Sequence, residues 1–190
     1  MVEALNAACF TQPHWLVIAR GYEVERWLTE DQYVGTGGIQ KPEAIHLRVG
    51  NRYYRFASSV APRYSQIGGG WWIDYENFHE IDSFASKHGY TLSEAARLFL
   101  ALPNSWSKVD RLVSAILEVP LKAYAGQGKV AEDKDGSGSA ARWIPLQHNR
   151  ALQLYIPGLY VPGLRRRRQL YELAFPHPKF EHILTNRRPV

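Results

Sequence analysis

The chain has 190 residues, 45% hydrophobic and 22% charged, which suits one substantial soluble domain with a packed core. Cys9 is the only cysteine, so an internal disulfide framework and a multi-cysteine metal site are both excluded. A formal charge of +5 and a pI near 9.3 favour acidic partners: nucleic acid, a phosphate-rich cofactor, an acidic inhibitor protein or an anionic membrane surface.

The start, MVEALNAACF, lacks the basic-then-apolar plan of a secretory signal, and no apolar run approaches the roughly 20 residues needed to span a bilayer. HWLVIAR and YEVERWLT (14–20 and 22–29) read as two short strands or as a strand followed by a helical turn. GTGG at 35–38 and Pro42 mark a loop. IHLRV, the pair Gly50-Asn51 and RYYRFA predict a hairpin over 45–57, because a two-residue loop with glycine suits the twist of paired strands. On that strand Tyr54 and Phe56 are expected in the core, with Tyr53 and Arg55 on the other face. An arginine flanked by aromatics and facing a cleft can grip a phosphate; facing solvent it is an ordinary strand residue.

Gly68, Gly69 and Gly70 follow. They match neither GxGxxG nor GxxxxGK[ST], so they are not read as a phosphate loop. Trp71 and Trp72 point to opposite faces if extended, so one can be core while the other walls a pocket. A helix is expected from Asp74 as N-cap, with Phe78, Ile81 and Ala85 inward and Gly89 ending it. A second opens with the capping box Thr91-Leu-Ser-Glu94, buries Leu92, Ala95, Phe99 and Leu102, and stops at Pro103. His79 and His88 show no metal-ligand spacing and read as solvated.

RLVSAILEVPL (111–121) is nearly continuously apolar, as expected for a central strand covered on both faces. Residues 126–142, with mixed charge and GSGS, read as a mobile loop. ALQLYI (151–156) predicts a strand with Leu152, Leu154 and Ile156 inward and Gln153 and Tyr155 on the other face. Near the end, LYELAF and FEHIL read as edge strands or a short helix. The run Arg165–Arg168 is a solvated or docking face.

From the early-strand arginine to the late strand, roughly residues 45–160, the chain resembles the bacterial toxin branch of the ADP-ribosyltransferases, of the interbacterial effector type. The resemblance implies an α+β single domain over 1–190, with a split, mixed β-sheet, flanking helices and NAD as substrate in a central cleft. It implies Arg55 as the dinucleotide-holding arginine, with Ser58 and Ser59 just downstream and Tyr64, Trp71 or Trp72 as the aromatic position. EVPLKAYAGQG is similar to the strand and turn before the last part of such a cleft. The late catalytic position falls on Gln153, with Gln147 as competitor. No ExE or QxE pair and no Ser-Thr-Ser triplet is present, a departure that bears on protein-arginine transfer more than on NAD binding. The implied activity is NAD-dependent glycosyl transfer of ADP-ribose to protein, nucleic acid or water. The implied setting is a cytoplasmic target reached through a specialised secretion system, with an acidic immunity protein as partner. Two other classes compete: a basic nucleic-acid-binding or nucleic-acid-cleaving domain, and a non-catalytic interaction module.

Overall fold

The computed structural model describes residues 3–21, 37–134, 140–143, 151–163 and 168–183. Its elements run in order as a 3-10 turn (Ala7–Thr11), α1 (Pro13–Ala19), β1 (Ile39–His46), β2 (Arg52–Ala57), α2 (Arg63–Gly68), β3 (Trp71–Asp74), α3 (Tyr75–His88), α4 (Leu92–Leu100), β4 (Arg111–Ile116), β5 (Lys122–Gly128), β6 (Ala131–Lys134), β7 (Ala140–Trp143), β8 (Leu152–Tyr155), α5 (Leu170–Ala174) and β9 (Lys179–His182).

The two long helices form where local chemistry directs them. Asp74 caps α3 by accepting from the Asn77 N–H at 2.9 Å, and Gly89 closes the helix at φ 67, a left-handed position that suits glycine. Thr91 and Glu94 satisfy each other's backbone N–H groups in the expected capping box at the start of α4. The stretch HWLVIAR is helical rather than extended, opening on Pro13, whose fixed φ suits the first helical turn. YEVERWLT lies outside the described residues.

Seven strands form one sheet in the order β1-β5-β8-β3-β2-β4-β9, with every pairing antiparallel rather than mixed. The hairpin expected over 45–57 does not form. β1 pairs with β5, while β2 pairs with β3 and β4. Residues 47–51 instead carry the chain from one half of the sheet to the other. They run beside the return crossing at 117–121, through Leu47 N to Leu121 O at 2.9 Å and Gly50 N to Leu117 O at 2.8 Å. A glycine turn signal is local, but partner choice belonged to these distant backbone bonds.

Both sheet faces are covered. Tyr53, Ala57, Trp72, Val113, Ala115, Leu154 and Ile156 form one core, closed over by Ile67 of α2 and Phe175 beyond α5. Tyr54, Ile73 and Leu112 form the other, beneath Ile81 and Ala85 of α3 and Ala95 and Phe99 of α4. Tyr53 is therefore core, not a free-facing companion of Arg55, because a second layer covers its face too. β4 is an interior strand with near-continuous burial, as its sequence predicts. Leu152 is exposed, against expectation, since it ends the β8 ladder opposite the exposed Gln127. Of LYELAF and FEHIL, the first is helix α5 and the second edge strand β9.

The span 126–142 contains the end of β5 and the two arms of a hairpin, β6 paired with β7 from Ala131–Trp143 to Lys134–Ala140. Among the described residues, no helix is long and apolar enough to cross a membrane.

β3 has only four residues, and each neighbour holds it by two residue pairs: Tyr53–Asp74 and Tyr54–Ile73 toward β2, Trp71–Tyr155 and Trp72–Leu154 toward β8. The halves β1-β5-β8 and β2-β4-β9 thus share one short strand. The buried Asn77 helps fasten this junction, since its Oδ1 accepts from the Leu152 N–H at 2.6 Å. Asn77→Ala should cost about 1 kcal/mol, because it leaves the part-buried Leu152 N–H without its partner. Urea denaturation monitored by circular dichroism measures the loss.

Candidate functional site

The pleat sets Arg55 on the face of Tyr53 and Ala57, and Gln153 on the face opposite Leu154. In a continuous sheet the two side chains would never meet. Here the ladder between β2 and β3 stops at Tyr54–Ile73, and the strands part. A cavity of about 570 Å³ opens in that gap, walled by Arg55, Ser58, Trp71, Trp72, Gln153 and Trp106 among others. That volume falls in the range of small-molecule sites, roughly 300–1,000 Å³.

Arg55 holds the gap. Its Nη1 donates to the Trp71 carbonyl at 2.7 Å and its Nε to the Gln66 carbonyl at 3.0 Å. The first carbonyl would otherwise have looked to β2 for a strand partner. Burial pulls the guanidinium pKa down to about 10. No ion pair relieves it among the described residues, and it is the only charged side chain among the described residues lining the cavity. The remaining guanidinium N–H groups are what it can offer to an anion.

The three glycines explain themselves by close approach. A Cβ at Gly69 would collide with the Arg55 guanidinium. One at Gly70 would lie 2.6 Å from the Tyr155 ring, and one at Gly68 2.9 Å from Tyr160 and Tyr171. Their backbone is a floor for side chains, not a cradle for phosphate.

The tryptophan pair divides as the pleat allows. Trp72 is core, 2% exposed, stacked on Phe175 at 4.4 Å with its Nε1 donating to the Gly69 carbonyl at 2.8 Å, and it meets the cavity only as part of its wall. Trp71 is half-buried, packs on Tyr155 at 5.0 Å and walls the cavity beside Gln153. Gln153 is 9% exposed, and its Nε2 donates to the Leu100 carbonyl at 3.0 Å. That bond fixes the amide orientation, leaving Oε1 as the free acceptor.

Of the other residues singled out in the sequence, Ser58 lines the cavity. Ser59 does not line it; its N–H and Oγ bind both carboxylate oxygens of Asp110, at 2.7 and 2.6 Å. Tyr64 also lies off the cavity, exposed and stacked on Tyr160 at 5.0 Å. Gln147 lies outside the described residues. Sequence reasoning missed Gln66, whose carbonyl steadies Arg55 and whose Nε2 donates to the Ala61 carbonyl at 2.6 Å. It also missed Trp106, although a lone large aromatic in the turn-rich stretch PNSWSK has no core alternation to serve.

Desolvation pushes the Asp110 carboxyl up, but the bonds from Ser59 outweigh it and the net shift is downward. No protein-family model, no curated protein and no solved structure matches the chain.

Two expectations follow. Gly69→Ala should displace the guanidinium from the Gln66 and Trp71 carbonyls and lower stability by roughly 2–4 kcal/mol, read as a shift of the urea midpoint. Because the folded pKa of Asp110 is below its unfolded value, its contribution is complete above about pH 5 and is lost as pH falls through the folded pKa. Ser59→Ala should remove much of that acid-dependent loss, measured as thermal midpoints between about pH 2 and pH 6.

Proposed function

We propose that the cavity binds NAD and that the chain cleaves its nicotinamide–ribose bond, as an ADP-ribosyltransferase-like enzyme with water as its simplest acceptor. The observation that carries this reading is the convergence of an early-strand arginine and a late-strand glutamine on one cavity at the split of the sheet.

Among the described residues no carboxylate pairs with the desolvated Arg55 guanidinium, so a pyrophosphate would supply a counter-charge. Trp71 offers a flat wall for the nicotinamide next to Gln153. As the bond between the ribose C1′ and the ring nitrogen breaks, its electron pair leaves with nicotinamide and neutralises the pyridinium. Positive charge develops on the ribose. Gln153 Oε1, held by the Leu100 bond, can accept from a ribose hydroxyl and orient the sugar with its carbonyl dipole toward that charge. Water then adds at C1′ and gives up a proton to solvent, yielding ADP-ribose and nicotinamide.

Among the described lining residues there is no Asp, Glu, His or Lys to deprotonate an acceptor. This favours water over a protein arginine, whose guanidinium needs help to become nucleophilic.

Nicotinamide release from NAD by the purified chain tests the reading. Gln153→Ala should reduce kcat/KM about a hundredfold with little change in NAD affinity, as for a group that acts in the transition state. Arg55→Lys keeps the charge but loses the planar fork, and should raise KM about tenfold. Labelled NAD incubated with cell lysate should yield free ADP-ribose; label on protein or nucleic acid would identify a macromolecular acceptor instead. Absence of both NAD binding and nicotinamide release would end the reading.

A further inference from the structure

The loop at 101–109 is held more firmly than its composition requires. Arg97 of α4 clamps it through three backbone carbonyls: Leu102 from Nη1 at 2.9 Å, and Ser107 and Lys108 from Nη2 at 2.7 and 3.0 Å. The loop begins and ends on non-glycine residues in the left-handed region, Ala101 at φ 48 and Val109 at φ 51. A branched, fully buried valine in that conformation is an outlier, and such strain persists where the surroundings over-determine it, often beside ligand sites. Val109 N is bonded to Ser107 Oγ at 3.2 Å, and the next residue is the Asp110 anchored by Ser59.

What this rigid loop carries is Trp106. Its ring lies against Gly37, where a Cβ would come within 2.7 Å, yet the residue remains 48% exposed and lines the cavity. Trp106 belongs to none of the core clusters formed by the described residues. A large aromatic that the core does not use, braced on one side and open to a cavity on the other, is a stacking surface.

We infer that Trp106 is the platform for the purine base of the ligand, so that the cavity selects adenine nucleotides through a second aromatic wall distinct from Trp71. The choice of which base meets which tryptophan rests on the NAD reading, which puts the nicotinamide against Trp71 beside Gln153 and leaves Trp106 to the adenine. Rigidity of the loop matters here because a platform already in position costs no ordering on binding.

Calorimetric titration of the whole chain with AMP, nicotinamide mononucleotide and NAD tests this. Trp106→Ala should weaken AMP and NAD roughly ten- to a hundredfold and leave nicotinamide mononucleotide within about twofold, while Trp106→Phe should recover most of the loss. Circular dichroism of each variant checks the fold. Unchanged AMP affinity in Trp106→Ala, or an equal loss for nicotinamide mononucleotide, would overturn the inference. If NAD is bound and split but Trp106→Ala alters neither, the platform falls and the NAD reading stands. If the chain binds AMP through Trp106 but neither NAD nor nicotinamide mononucleotide, the platform stands and the NAD reading falls. Binding of none of the three ends both.

Discussion

The carbonyl of Trp71 is the group on which the architecture turns. It sits where β3 leaves β2, and a buried carbonyl there must find a donor. Continuing the ladder would supply a backbone N–H and close the sheet. Instead Arg55 supplies a charged donor at 2.7 Å from its own strand, and the strands stay apart. A charge-assisted bond is stronger than the neutral one it replaces, which offsets part of the cost of burying the guanidinium. Gly69 leaves room for it, and the Gln66 carbonyl takes its second donor.

The opposite end of the same strands is fastened differently. Arg52 pairs with Ile116, just where the two crossings at 47–51 and 117–121 run side by side. Leu117 donates back to Asn51 at 3.0 Å, and Tyr53 Oη accepts from Arg48 N at 3.0 Å. The halves are therefore pinned at the Arg52 end of β2 and propped open toward its Ala57 end, where Ser58 and Phe56 meet the cavity. The opening is thus set by hydrogen bonds at both ends of β2.

How far this could be read beforehand depends on the range of each signal. Asp74, Gly89 and the Thr91–Glu94 box act over three or four residues, so both long helices were legible. The alternation in ALQLYI revealed strand β8 but misjudged Leu152, because its exposure depends on where the ladder ends. Gly50 signalled a turn and could not reveal that β1 and β2 face different partners across the sheet. The apolar run in HWLVIAR reads as a strand, yet the segment is helix α1, opening on Pro13. Arg55 and Gln153 stand out in the sequence as polar residues among apolar ones, but nothing local shows that both are tied into the fold. Arg55 bonds two backbone carbonyls and Gln153 a third. Such commitments join residues far apart in the chain and leave no local pattern.

That position 153 carries a glutamine rather than a glutamate has a local cause. The side chain at 153 is buried with the Leu100 carbonyl 3.0 Å from its terminal nitrogen, at the end of α4. A carbonyl can only accept, so its neighbour must donate. An amide meets that demand while keeping its own oxygen free. A carboxylate could not, unless protonated, and as an anion it would face the negative end of the Leu100 dipole and the partial charge at the helix C-terminus. Position 153 therefore trades electrostatic strength for fixed orientation. In a cavity whose only described charge is the guanidinium on β2, an acceptor held in place without charge leaves Arg55 free of a competing protein anion.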